Sequence, residues 1–227
     1  MIKPDDVPSP RRAQQSPAEL TRTALIHAGL QLFGRHGFDG TSTRQIAALA
    51  KANIGSIAYH FGGKEGLHAA CADFIVETIQ KIARPVLADA AAAADPPAAA
   101  AGLSAAVERM VSFFVASPEA GEIAQFIMRE LSQPSAALDR MYKGVLEPLH
   151  GQLCRAWAAA TGEEADSERT RLTVFTLIGQ VVYFRIGREA VLRRMGWTDI
   201  GPQQARAIAA VATANLEAML TAGRAGR

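Results

Sequence analysis

Two cysteines in 227 residues, Cys71 and Cys154, exclude a disulfide framework, and without a CxxC spacing neither begins a zinc site. The five histidines, His27, His36, His60, His68 and His150, form no HExxH or comparable ligand pattern. No apolar run approaches the roughly 18 residues of a membrane span, so no membrane partner is expected. The stretch Met1 to Gln15 is polar, carries prolines and lacks an apolar core, so it is not expected to be a secretory signal. These absences suit a reduced, cytoplasmic setting. Gly62-Gly63-Lys64 is not a phosphate loop, because Glu65 replaces the required Ser/Thr and Ala58 stands where the first glycine belongs. Ser112 and Cys154 have no base adjacent in sequence. No catalytic residue, metal ligand or cofactor is expected, and the chain is not read as an enzyme.

What is present is ordinary globular composition, 49% hydrophobic and 20% charged. The net charge of +2 is unevenly spread. Residues 1–66 carry eight Lys/Arg against five Asp/Glu, and the remainder is close to neutral. A basic N-terminal third suits nucleic-acid contact at one end, and a solvated surface would also carry it.

Nearly every segment reads as helix, since β-branched runs are short and glycines and prolines fall between periodic stretches. The first helix is expected from about Ala18 to His36, with Leu25, Ala28, Leu32 and Phe33 on one face and Gly37 as C-cap. Ser42 with Gln45 makes a capping box that opens a short helix ending near Ala50. A second short helix, capped by Asn53, runs to Phe61 before Gly62-Gly63, and a long helix from Lys64 to about Ala83 follows. Residues 88–101 around Pro96-Pro97 read as a connector or as extensions of the flanking helices. Five further segments are predicted: Leu103–Ser117, Glu119–Leu131, Pro134–Thr161, Ser167–Met195 and Pro202–Ala222. Pro118 and Pro134 fit first-turn positions, and Pro148 predicts a kink near Leu146–Glu147. The fold class is therefore all-α: an N-terminal three-helix helix-turn-helix domain plus a larger C-terminal helical bundle, about nine helices. The predicted division is a flexible arm over 1–16, a DNA-binding domain over 17–66, and an effector-binding and dimerisation domain over 67–227.

The chemistry is concentrated between Thr41 and Leu67. Two short helices separated by a turn of three or four residues make a helix-turn-helix, with Ile46, Ala47, Ala50, Ile57 and Phe61 locking the crossing. A helix that enters the major groove needs short polar side chains at its leading end. The candidate DNA-binding residues are Thr43, Arg44, Asn53, Gly55, Ser56, Tyr59, His60 and Lys64. Gly55 permits close backbone approach, and the helix starts near Thr43 and Lys64 offer N–H groups to phosphate. Burial of Tyr59 and His60 at a helix end, and solvated surface roles for Arg44 and Lys64, are the competing readings.

Phe33, Gly37, Thr41-Ser42-Thr43, Ile46-Ala47, Ala50, Gly55, His60-Phe61 and Lys64-Glu65-Gly66-Leu67 together resemble the N-terminal signature of the TetR family of regulators. The turn departs from that pattern, with Lys51-Ala52 in place of the usual Gly-Val. The frequent tyrosine of the recognition helix is displaced by one place, from Ala58 to Tyr59. Phe126 to Glu130, Pro148-Leu149-His150, Leu177-Ile178-Gly179 and Met195 to Thr198 resemble the subgroup with a CecR/CerR-like C-terminal domain. The resemblance implies a homodimer, paired through 167–195 and 202–222, that binds double-stranded operator DNA and a small-molecule effector. Val174, Leu177, Ile178, Val181, Ala209, Ala212, Leu216 and Leu220 are expected to make that pairing. An effector would shift the helix from Lys64 and alter the spacing of the two recognition helices, most commonly releasing a repressor.

The candidate effector contacts are Met110, Phe113, Phe114, Phe126, Arg129, Met141, Tyr142, His150, Phe175 and Gln180, with Glu130, Tyr183 and Arg185 in their company. Aromatics and methionines at helical spacing also build plain core. The polar members favour a pocket, because burying them costs several kcal/mol unless they are paired or serve a ligand. A helical enzyme, a ligand binder with a decayed DNA module and a non-specific DNA binder are the alternatives from other classes.

Overall fold

The computed structural model describes residues 16–225 apart from 92, 94 and 118. The predicted N-terminal arm, but for Ser16, and Pro118 lie outside them. Among the described residues the fold is all-α, without a strand. The helices are α1 (Pro17–His36), α2 (Thr43–Leu49), α3 (Gly55–Phe61), α4 (Lys64–Ala91) and α5 (Pro96–Val111). They continue with α6 (Glu119–Ser132), α7 (Ala136–Met141), α8 (Glu147–Thr161), α9 (Glu168–Ile186), α10 (Arg188–Met195) and α11 (Pro202–Ala225). Two π-helical turns, Ser112–Ala116 and Tyr142–Leu146, prolong α5 and join α7 to α8.

The prolines explain most departures from the expected boundaries. The α4 helix does not stop near Ala83 but runs through Pro85, an exposed position where the carbonyl freed at Lys81 can turn to water. The connector shrinks, because Pro96 and Pro97 occupy the first turn of α5, where a missing N–H costs nothing, and Asp95 Oδ1 accepts from Ala98 N at 2.7 Å. Pro134 precedes the N-cap Ser135 instead of opening the helix. Pro148 produces no break. The carbonyl four residues before it, on Gly144, accepts the Gln80 Nε2–H of α4 at 2.7 Å, so the lost helical bond is replaced from a neighbour. Gly187 divides the predicted Ser167–Met195 segment into α9 and α10.

Two apolar cores result. The C-terminal core gathers Leu103, Val107 and Val111 of α5, Cys154 and Trp157 of α8, Val174 and Val181 of α9, and Leu216 and Leu220 of α11. Trp157 donates its Nε1–H to Glu163 at 3.1 Å, which satisfies the one polar atom of its ring. Residues 96–115 are, by length and composition, long and apolar enough to cross a membrane, contrary to the expectation from sequence, yet Leu103, Val107, Val111 and Val115 bury inside this core. The same core corrects the expected dimer contacts. Val174, Leu177, Val181, Ala212, Leu216 and Leu220 are buried within the subunit, with Ile178 and Ala209 half-buried beside them. The outward face of α9 and α11 carries Leu172, Phe175, Tyr183 and Val211 instead, each more than half exposed.

The other core is not confined to the helix-turn-helix. Leu25, Leu30 and Phe33 of α1, Ile46 of α2 and Ile57 of α3 join Leu67, Cys71 and Ile75 of α4, Phe126 of α6 and Met141 of α7. Each large apolar side chain buried here contributes about 1.5–3 kcal/mol. The helices α1 and α6 meet closely: a methyl on Gly34 would lie 3.1 Å from the backbone nitrogen of Phe126.

Within this core His68 Nε2 stands 3.1 Å from Glu130, among the rings of Phe33, Phe38 and Phe126 at 4.7–5.1 Å. Glu130 also accepts from Ser135 Oγ at 2.5 Å. Burial pushes the imidazole pKa below its ordinary 6.5, partly opposed by the Glu130 charge. The unfolded chain therefore takes up a proton at a pH where the folded one resists it, and stability falls as pH drops below that value. The melting temperature should decline more steeply from about pH 7 to about pH 5 in the wild type than in His68→Gln; equal slopes would refute this.

Candidate DNA-binding and ligand-binding sites

Local chemistry builds the helix-turn-helix. Thr41 is buried, and its hydroxyl donates to Gly37 O at 2.8 Å and lies 3.1 Å from Leu32 O, which pins the loop after α1. Ser42 Oγ accepts from Gln45 N at 3.2 Å while Gln45 Oε1 accepts from Ser42 N at 2.8 Å, the reciprocal cap expected for α2. The turn is completed by Ala52 N donating to Ala47 O at 2.9 Å. Asn53 lies one residue outside the N-cap, which is Ile54, yet its Oδ1 accepts from Gly55 N at 2.8 Å and so steadies the first turn of α3. Ile57 buries against the α2 pair Ile46 and Ala47. At the other end, a side chain on Gly66 would overlap the Phe61 carbonyl, so α3 seats directly on α4.

This leaves Tyr59 83% exposed, its ring edge-on to His60 at 4.9 Å. Arg44, Asn53 and Gly55 are exposed as well, and Thr43, Ser56, His60 and Lys64 are half-buried. Lys64 Nζ stands 4.2 Å from the centroid of the Phe38 ring, and Arg22 lies over Phe61 at 5.5 Å. Sequence reasoning passed over Ile54, half exposed at the leading end of α3, where an apolar side chain suits a thymine methyl. An apolar residue at a helix start carries no sequence signal for the surface, and only its exposure separates it from the buried Ile57.

In the C-terminal region a cavity of about 320 Å³ opens between α4, α5, α6, α8 and α9. Met110, Phe113, Phe114, Met141 and His150 line it, as does Arg185. The other sequence candidates lie elsewhere. Phe126 is buried beside His68, and Arg129 stands in an adjoining groove, donating to His36 O at 3.3 Å. Tyr142, Phe175 and Tyr183 are exposed, and Gln180 accepts from Asn215 at 3.2 Å. Aliphatic walls such as Ile75, Ile79, Ile127 and Leu149 were missed because a core-facing Ile looks the same in sequence whether or not space lies beyond it. Both π turns border the cavity, through Phe113 and Phe114 on one and Val145 and Leu146 on the other.

Cys154 Sγ lies 3.6 Å from His150 Nδ1, but burial raises the thiol pKa and keeps it protonated, and His150 Nε2 is engaged with Arg171 O at 3.1 Å. Among the described residues no three His, Cys, Asp or Glu side chains group as metal ligands.

A helix-turn-helix seated on a larger helical domain with an apolar cavity defines a class: all-α helix-turn-helix transcriptional regulators. Residues 25–71 match the bacterial regulatory proteins of the tetR family, and residues 99–223 match the C-terminal domain of the HTH-type transcriptional dual regulator CecR. The chain is 35% identical over 206 residues to the CecR dual regulator of Shigella flexneri, covering 89% of this chain and 92% of that one. It is 27% identical over 205 residues to the transcriptional repressor NicS of Pseudomonas putida, covering 86% and 89%. Among solved structures, a transcriptional regulator from Pseudomonas aeruginosa PAO1 superposes with a TM-score of 0.65 at 22% identity, covering 96% of this chain and 98% of that one. AibR in complex with isovaleryl coenzyme A and operator DNA superposes at 0.63 with 16% identity, covering 85% and 96%. This chain belongs to the TetR family of transcriptional regulators and carries the CecR type of C-terminal domain.

The turn departs from the family pattern at one residue that the backbone explains. Lys51 has φ 51°, alone among the described non-glycine residues in the left-handed region, where glycine carries no Cβ penalty. Lys51→Gly should raise stability by about 1 kcal/mol, read as a higher denaturation midpoint at unchanged slope; a lower midpoint would refute the strain.

Proposed function

We propose that this regulator is a homodimeric repressor that binds a palindromic operator through α2 and α3 and releases it when a small molecule fills the C-terminal cavity. The observation that carries the DNA reading is the exposed polar and aromatic face of α3, with Tyr59 at its centre, on a helix clamped between α2 and α4. Asn53, Gly55, Ser56, Tyr59 and His60 would meet base edges and phosphates, while Thr43, Arg44 and Lys64 would hold phosphates at helix starts. Residues 17–66 would serve DNA, 67–227 effector and partner, and 1–16 would form an arm.

The exposed apolar stripe of Leu172, Phe175, Tyr183 and Val211 on α9 and α11 suits a four-helix interface with a second copy. Such a dimer would hold two recognition helices about 34 Å apart, one helical turn of DNA. AibR, crystallised with an acyl coenzyme A and operator DNA, supports a two-site reading. NicS is named a repressor and CecR a dual regulator, so repression is the sign preferred here. An effector acts only through its differential affinity for the two states, and the cavity walls on α4 and α6 would carry that difference to the helix-turn-helix.

The test is binding of the purified protein to DNA flanking its own gene, at two salt concentrations, with scrambled competitor. Selective binding that survives the higher salt supports the reading; weak, competitor-sensitive binding refutes it. Tyr59→Ala should lose about tenfold or more in operator affinity with an unchanged melting temperature. Phe175→Asp should yield monomers in sedimentation and lose operator binding with them; a dimeric variant would move the interface elsewhere.

A further inference from the structure

The apolar cavity does not stand alone. An open groove adjoins it, and Ala124, Met128, Arg185 and Ile186 line both. The groove is more polar than the cavity, and basic: Arg35 enters from α1, Arg129 from α6, Arg185 from α9 and Arg188 from α10. Two carboxylates face it, and both are engaged, Asp199 with Arg188 and Glu189 with Arg193 at 2.6 Å. Among the described residues no carboxylate pairs with Arg35, Arg129 or Arg185.

Arg129 spends one terminal nitrogen on His36 O and leaves its Nε buried without an acceptor. The Arg185 guanidinium packs against Gly121, where a methyl would overlap it, at the point where groove and cavity meet. Half-buried cations without counter-ions cost desolvation energy, and a planar guanidinium is matched to carboxylate or phosphate. Burial and the neighbouring Arg188 charge lower the Arg185 pKa, as expected of a cation held without an anion.

We propose that the effector is an amphipathic anion, with an apolar chain in the cavity and its charged head in the arginine groove between α1, α6 and α9. This rests on the reading of the cavity as the effector site and gives that site a chemical class. The cavity, about 320 Å³ and almost wholly apolar in its walls, takes the chain; the groove, about 1020 Å³, admits heads from a carboxylate up to a phosphorylated carrier. Because Gly34 and Arg35 of α1 form one bank, the head group touches the DNA-binding side directly. Drawing Arg129 from His36 O would loosen the contact between α6 and the end of α1.

The test is calorimetric titration of the full-length protein with three probes that share a tail: decanol, decanoate and decanoyl coenzyme A. At least one anion should bind about tenfold or more tighter than decanol, as a charge-assisted contact predicts. Arg185→Gln should bring that anion's Kd close to decanol's, and Arg35→Gln, which touches the groove and not the cavity, should weaken the anion while leaving decanol's Kd unchanged. Arg35 is exposed, so that variant carries the test should Arg185→Gln fail to fold. Preference for decanoyl coenzyme A over decanoate assigns a phosphorylated head, and the reverse a free carboxylate. Equal Kd values for decanol and the anions, an anion preference unchanged in Arg35→Gln and in folded Arg185→Gln, or no binding of any probe would overturn the proposal. Operator binding measured alongside separates the failures. Decanol-only binding that releases operator removes the head group and spares the effector site, whereas absence of operator binding in the unliganded wild type removes the regulator reading itself.

Discussion

The packing of α1 against α4 and α6 is the constraint on which the rest depends. It places the DNA-binding helices and the first part of the C-terminal region in one apolar core, with Phe33, Phe126 and Leu67 buried together. Interiors packed at this density transmit displacement instead of absorbing it. On the proposed reading, a shift of α6 or α4 would reach α2 and α3 through the core they share. The glycine at position 34 brings α1 within van der Waals reach of the α6 backbone and leaves no slack between them.

The buried His68–Glu130 pair sits in the middle of this contact. Such pairs add little net stability, but removing one partner leaves the other uncompensated in apolar surroundings. The pair links α4 to α6 across this core. Position, more than strength, is what it confers.

Both π turns border the cavity. Each inserts an extra residue into the helical register, and Phe113 and Phe114 on the first, with Val145 and Leu146 on the second, line the space. The Gly144 carbonyl within the second π turn is held by Gln80, so Pro148 is accommodated without breaking the helix.

Much was legible from sequence because it rests on local chemistry. The capping box at Ser42, the break at Gly62 and the apolar locks Ile46 and Ile57 act within a few residues, so their pattern determined the all-α class, the helix-turn-helix and the family. The direction in which a helix faces is not local. The stripe from Val174 to Leu220 read as a partner surface, although it fills the subunit's own core and leaves Phe175 and Tyr183 outside. Arg129 and Arg185, 56 positions apart, share a groove only because α6 and α9 pack together. Sequence determined which residues must be buried; the tertiary structure alone decided against what, since an apolar face carries no record of its partner.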